Sequence, residues 1–144
     1  MNRPTFTLTL PSDLRMLSVA RAFVEAVCQA SGLERSLVHA MVLATGEAVS
    51  NIVRHAHRHL PVAELRIQLS LQADGIALCF HDQGEPFDFH SVPQLPPGEL
   101  RIGGRGVYLL RTLMDEIACG PREDGSGNAL RLFKRWPTAA RSVG

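Results

Sequence analysis

A chain of 144 residues, 45% hydrophobic and 20% charged, has the size and make-up of one soluble domain with a continuous core. Its formal net charge of +1 leaves no electrostatic footprint for nucleic acid or an anionic membrane, although positive charge is denser in the last third. No apolar run approaches the roughly 20 residues of a membrane span and no basic-then-apolar leader opens the chain. Cys28, Cys79 and Cys119 are widely spaced with no Cys-x-x-Cys pair, so buried thiols in the cytoplasm are expected rather than disulfides or zinc ligands.

In chain order, Thr5 to Leu10 alternates, with Phe6, Leu8 and Leu10 on one side, and reads as a short strand closed by Pro11. A helix follows, capped by Ser12 or Asp13, with Leu14, Leu17, Val24, Val27 and Cys28 on its apolar stripe and Gly32 at its end. A second, longer helix runs from about Glu34 to about His57, burying Leu37, Met41, Ala44, Ala48 and Ile52, with Pro61 beyond it. Leu65, Ile67, Leu69 and Leu71 then alternate with polar residues, and after Asp74-Gly75 so do Ile76, Leu78 and Phe80, which predicts an antiparallel hairpin. By strand parity Asp82 points to the same face as Phe80. The Pro- and Gly-rich segment from Glu85 to Ile102 suits a lid over a site. A third helix carries Val107, Leu110, Leu113 and Met114, and short strands near Glu116–Cys119 and Ala129–Lys134 flank a turn at Asp124–Gly127. The whole is expected to be one α+β domain over residues 1–136, a two-layer sandwich of a mixed, mostly antiparallel sheet with helices on one face, and a flexible tail over 137–144.

Within this pattern, Glu47, Asn51 and His55 fall at i, i+4, i+8 on one stripe of an otherwise apolar helix. Three polar groups in line on a core helix each cost free energy unless something polar sits against them. A solvated face is the alternative, but the helix is apolar on too many sides for it. Asn51 offers an amide oxygen to Mg²⁺, and Glu47 one turn earlier is placed to orient or deprotonate an attacking hydroxyl or water. Asp82 followed by Gly84 suits either a simple turn or adenine, whose exocyclic amine a carboxylate accepts while glycine lets the backbone approach the ring. The run Gly103–Gly106 before a helix is either a hinge or a phosphate site, and Arg105 either contacts phosphate or is solvated. His55, His57 and His59 near a helix end complement the helix dipole more readily than they bind metal.

Taken together, Glu-x-x-x-Asn-x-x-x-His on a helix, Asp-x-Gly after a strand, a short lid and Gly-x-Gly opening a helix resemble the Bergerat ATP-binding fold shared by gyrase, histidine kinases and MutL. Gly46-Glu47-Ala48-Val49-Ser50-Asn51, Asp82-Gln83-Gly84-Glu85-Pro86-Phe87-Asp88 and the stretch from Gly104 to Glu116 are similar to the RsbW-like serine-kinase anti-sigma factors, over roughly residues 5 to 135. That resemblance implies Glu47 as catalytic base and Asn51 as the Mg²⁺ ligand. It also implies Asp82 and Gly84 on adenine and Gly104, Arg105 and Gly106 on the phosphates, with His55 and Asn128 completing the nucleotide contacts. It further implies ATP as phosphoryl donor, a STAS-type anti-anti-sigma antagonist as acceptor, a sigma factor as competing partner, and a homodimer. Gly127-Asn128 departs from the Gly-Thr of many relatives. No phosphoacceptor-histidine dimerisation helix precedes the domain, unlike a complete sensor histidine kinase. An ATP-gated binding module without catalysis is the second reading, and Glu47 favours the enzyme, because a pure sensor needs Asn51 and Asp82 but no base. A sugar- or lipid-like pocket with accidental motifs is a distant third.

Overall fold

The computed structural model describes residues 4–56, 63–83, 104–121 and 127–137. Strand β1 (Thr5–Pro11) leads through a 3-10 turn (Leu14–Met16) into α1 (Leu17–Ala30) and α2 (Arg35–Asn51), which passes into a π-helical turn (Ile52–Ala56). The hairpin β2 (Glu64–Leu71) and β3 (Gly75–Asp82), then α3 (Gly104–Leu113), β4 (Glu116–Pro121) and β5 (Asn128–Arg135) complete the elements. One five-stranded sheet in the order β1-β2-β3-β5-β4 is antiparallel at every pairing. The strand residues that join the helices in the core share one parity: Leu65, Ile67 and Leu69 on β2, Ile76, Leu78 and Phe80 on β3, Leu130 and Leu132 on β5. Helices therefore cover one face of the sheet and the two-layer α+β sandwich holds.

Local chemistry explains the element ends. Asp13 accepts the backbone N–H of Arg15 and starts the 3-10 turn, leaving Leu14 exposed rather than on the α1 stripe. Ala20, Val24 and Cys28, spaced by four, form the fully buried line of α1. At its other end Gly32, with φ +76°, allows Leu33 N–H to reach Cys28 C=O and Gly32 N–H to reach Gln29 C=O, a Schellman closure that a side chain at this φ would strain.

Helix α2 is buried on most sides, packed against both α1 and α3, which is why Leu37, Val38, Met41, Ala44, Thr45, Ala48 and Val49 all lose their solvent contact. Thr45 is satisfied there by donating its hydroxyl to Met41 C=O at 2.7 Å. By length and composition the helical stretch Arg35–Arg54, 20 residues with a mean hydropathy of 1.3, would suffice to cross a membrane, contrary to the expectation that no run reaches that length. Of its apolar window 61% is buried inside this domain, so the apolarity serves the core.

The opposite face of the sheet carries a feature that alternation alone does not show. Phe133 has the solvent-side parity, yet it is only 2% exposed. Its ring lies beneath the guanidinium groups of Arg131 and Arg135, at 5.2 and 5.8 Å from the ring centroid. Glu116 on β4 holds that roof, pairing with Arg135 at 2.6 Å. Gly75 makes the room: a Cβ there would stand 2.6 Å from the Phe133 ring and 2.3 Å from the Lys134 carbonyl.

Candidate functional site

Two of the expected site residues meet at the end of the sheet. The register carries Leu65 of β2 across to Asp82 of β3 and Asp82 across to Asn128 of β5, all on the helix-covered face. Asp82 is 3% exposed and Asn128 6%. The Asn128 amide donates from Nδ2 to Asp82 Oδ1 at 3.0 Å, which supplies a donor to a carboxylate that burial would otherwise penalise. Gly127 is fitted to the same corner: a Cβ on it would lie 1.8 Å from the Asp82 carbonyl oxygen, so only glycine lets the two backbones approach this closely.

The other half of the site stands on α2. Glu47 is half-buried and Asn51, 6% exposed, closes the helix. Among the described residues, Asn51 Nδ2 is buried with no hydrogen-bond partner. An unmet buried amide N–H costs about 1–3 kcal/mol, so among the described residues the fold does not satisfy this donor. At Ile52 the backbone changes to a π-helical turn, a local widening often placed at functional sites. The i, i+4, i+8 arithmetic that grouped His55 with Glu47 and Asn51 therefore holds only as far as Asn51. The His55 side chain, with His57, His59, Gly84, Gly103 and the segment from Glu85 to Ile102, lies outside the described residues.

Helix α3 opens at Gly104, where the glycine run places it, with Arg105 and Gly106 in its first turn. No acidic residue occupies that turn, so the positive end of the helix dipole is not neutralised from within the element. Leu110 and Met114 anchor the helix in the core.

One neighbour of the site escaped sequence reasoning. Arg21 of α1 lays its guanidinium over Gly46, so that a Cβ on Gly46 would meet Arg21 Nε at 2.8 Å, one residue before Glu47. A glycine in the middle of a helix costs about 1 kcal/mol against alanine. That cost was the available signal of a close approach. Cys28 and Cys79 are thiols outside this site; burial pushes Cys28 up to about 11 and raises Cys79 as well.

The residues present suit a magnesium nucleotide. Asn51 brings an amide whose oxygen is a hard donor of the kind Mg²⁺ takes and whose Nδ2 has no partner among the described residues, Asp82 brings a buried acceptor held by Asn128, and α3 carries no acidic residue in its first turn.

Comparison with known proteins agrees with this architecture. The model of the histidine kinase-like ATPase domain matches residues 10–134. The serine-protein kinase RsbW of Oceanobacillus iheyensis is 28% identical over 118 residues, covering 76% of this chain and 75% of that protein. RsbW of Listeria innocua is 28% identical over 119 residues, 77% of this chain and 76% of its own, and RsbW of Bacillus velezensis 26% over 118 residues, 76% and 74%. Among solved structures, that of the RsbU and RsbW domains of Rv1364c from Mycobacterium tuberculosis matches with a TM-score of 0.64 at 16% identity. The match covers 92% of this chain and 32% of the larger one, and it bears on the fold alone. With the family model spanning β5 and both helices of the site, the chain belongs to the histidine kinase-like ATPase domain family, and within it is similar to the RsbW serine-protein kinases.

Proposed function

We propose that this protein is an ATP-dependent serine/threonine protein kinase that also works as a partner switch, phosphorylating a STAS-type anti-anti-sigma antagonist and releasing it in favour of a sigma factor. The single observation that carries the reading is the pairing of a buried Asn51, whose Nδ2 has no partner among the described residues, with a half-buried Glu47 one turn before it on the same helix. Likeness to proteins named serine-protein kinase RsbW supports the acceptor class.

In this reading Asp82 accepts the exocyclic amine of adenine, with Gly84 beside the ring. The first-turn N–H groups at Gly104, Arg105 and Gly106 face phosphate oxygens, where the α3 dipole favours negative charge. His55 adds a further nucleotide contact. Asn51 would hold Mg²⁺ through its amide oxygen, and the ion when bound supplies charge neutralisation on the phosphates. Glu47 takes the proton of the acceptor hydroxyl as that oxygen bonds to the γ-phosphorus. The bond from the γ-phosphorus to the bridging oxygen breaks, ADP leaves, and the acceptor carries a phosphate ester. Adding a charge of about −2 to the antagonist changes its complementarity to the kinase, and so the partner.

A homodimer forms part of the same reading. Among the described residues, strand β1 pairs only with β2, which leaves its other edge for association. Incubation with γ-labelled ATP and each STAS-domain protein of the same genome tests the function. Label on a serine or threonine of one antagonist supports the kinase. Tight, ATP-dependent binding of a partner that never acquires label favours instead a non-catalytic, ATP-gated binding module.

A further inference from the structure

The hydrogen bonds at the two ends of β1 tell which of its backbone groups face outward. Ser12 N–H donates to Ala63 C=O and Leu71 N–H to Pro4 C=O, so residues 4 and 12 are hydrogen-bonded partners of β2. In an antiparallel ladder such pairs alternate with non-bonded ones. Even-numbered residues of β1 therefore spend their N–H and C=O groups on β2, and Thr5, Thr7 and Thr9 turn theirs to the outer edge. No charged side chain interrupts Thr5–Pro11 and its proline stands last, so the middle of this edge lacks the features that keep other chains from pairing with it. A second observation lies on α1, which packs against both β1 and α2. Arg21, one position after the buried Ala20, lies over Gly46 of α2, so the residues one position before each buried residue occupy the opposite flank. They are Val19, Phe23 and Val27, an apolar row spaced by four. Val19 is 42% exposed and the other two are half-buried, as are Phe6 and Leu8 on the helix side of β1.

We propose that two copies of this chain join β1 to β1, antiparallel about a two-fold axis through Thr7, so that their two five-stranded sheets become one and the Val19–Phe23–Val27 rows of α1 pack across the axis. The inference rests on the homodimer named above and gives it a surface and a register. Only odd-numbered residues have edge groups to exchange, so odd must stand opposite odd, and the helices of both copies then cover the same face. Centred on Thr7, the pairing sets Thr7 against its own counterpart and Thr5 against Thr9 of the second copy, each pair exchanging two N–H···O=C bonds. The half-buried Phe6 and Leu8 then meet across the axis as a non-bonded pair, the closer kind for side chains. Centred on Leu8 instead, Pro11 would enter the ladder opposite Thr5 with no N–H to return, and Phe6 would meet Leu10, which its own chain already buries. Strand pairing alone makes a narrow contact, and the two α1 rows add the apolar area a stable dimer needs.

Sedimentation equilibrium on the full chain measures the association. Thr7→Pro removes an N–H that β2 does not use, so the sheet keeps its own ladder while the pairing loses both bonds on the axis. The dimer dissociation constant should rise by roughly tenfold or more, with the far-UV circular dichroism unchanged. Val19→Lys, at an exposed position, brings like charges together across the axis and is the second variant should proline disturb the strand; it should weaken the dimer as much. Register is read by mild oxidation in a chain whose Cys79 and Cys119 are replaced by alanine. Thr7→Cys should form a disulfide-linked dimer, because a hydrogen-bonded pair holds its Cα atoms about 5.5 Å apart, within the span of a disulfide. Thr9→Cys, which faces Thr5 and not its own counterpart, should not. If Thr7→Pro and Val19→Lys both associate as tightly as the wild type, or if Thr9→Cys crosslinks and Thr7→Cys does not, the proposal fails while the homodimer stands. A wild type that stays monomeric at every concentration reached overturns the homodimer and this surface together.

Discussion

Replacing Asn51 with leucine should make the free protein more stable and abolish its response to Mg-ATP. The side chain is 6% exposed and its Nδ2 lacks a partner among the described residues, so the wild type carries an unmet buried donor costing about 1–3 kcal/mol. Leucine has the same heavy-atom branching, adds no polar group, and sits beside Val49 and Ile52 of the core. A gain of about 1–2 kcal/mol follows, which for a domain of this size raises Tm by roughly 3–8 °C. The wild type in turn gains from ligand by mass action, about 2.7 kcal/mol at a hundredfold excess over Kd, and the variant should gain nothing. Thermal unfolding of both proteins with and without Mg-ATP reads both effects in one assay. A variant less stable than the wild type that still shifts with Mg-ATP would refute the reasoning, because Asn51 would then serve the fold and not the nucleotide. The trade of stability against function at one side chain is the expected mark of a site residue.

Gly127→Ala should cost more than 2 kcal/mol and weaken Mg-ATP binding at least tenfold, because the added methyl meets a backbone carbonyl that cannot step aside; unfolding and calorimetry check both. Phe133→Ala should cost about 3–5 kcal/mol on denaturant unfolding yet leave Mg-ATP affinity within a few-fold, since the ring lies on the sheet face away from Asp82 and Asn128. Cys28, raised from 9.0 to about 11 by burial, keeps its proton in the folded state where an unfolded thiol loses it. Its contribution to stability is therefore complete below about pH 9 and is lost as pH rises toward 11, at most about 3 kcal/mol, and Cys28→Ala should flatten that part of the stability–pH curve.

Much of the architecture was legible because it is written in periods. The alternation Leu65-Ile67-Leu69 and Ile76-Leu78-Phe80 gave the hairpin and its register, and parity alone placed Asp82 on the covered face, where it lies. The glycine run gave the start of α3. Leu14 was misplaced because Asp13 caps a 3-10 turn first, a competition between cap geometries that composition does not resolve. Asn51 was grouped with His55 by a 3.6-residue period that ends at Ile52, where the helix widens to π geometry. Non-local contacts were the least visible. The tether from Asn128 to Asp82 spans 46 residues, and the roof of Arg131 and Arg135 over Phe133 depends on Gly75 from another strand; neither leaves a periodic trace.

The role of Glu47 bears most directly on whether this chain is a kinase, and single-turnover transfer from γ-labelled ATP to the antagonist, compared between wild type and Glu47→Gln, measures it. Glutamine keeps the shape and hydrogen-bonding capacity of the side chain but cannot take a proton, so transfer should fall by roughly 10²-fold or more while affinities for Mg-ATP and for the antagonist stay within a few-fold. Transfer by Glu47→Gln at the wild-type rate would contradict the assignment of the base and the kinase mechanism built on it.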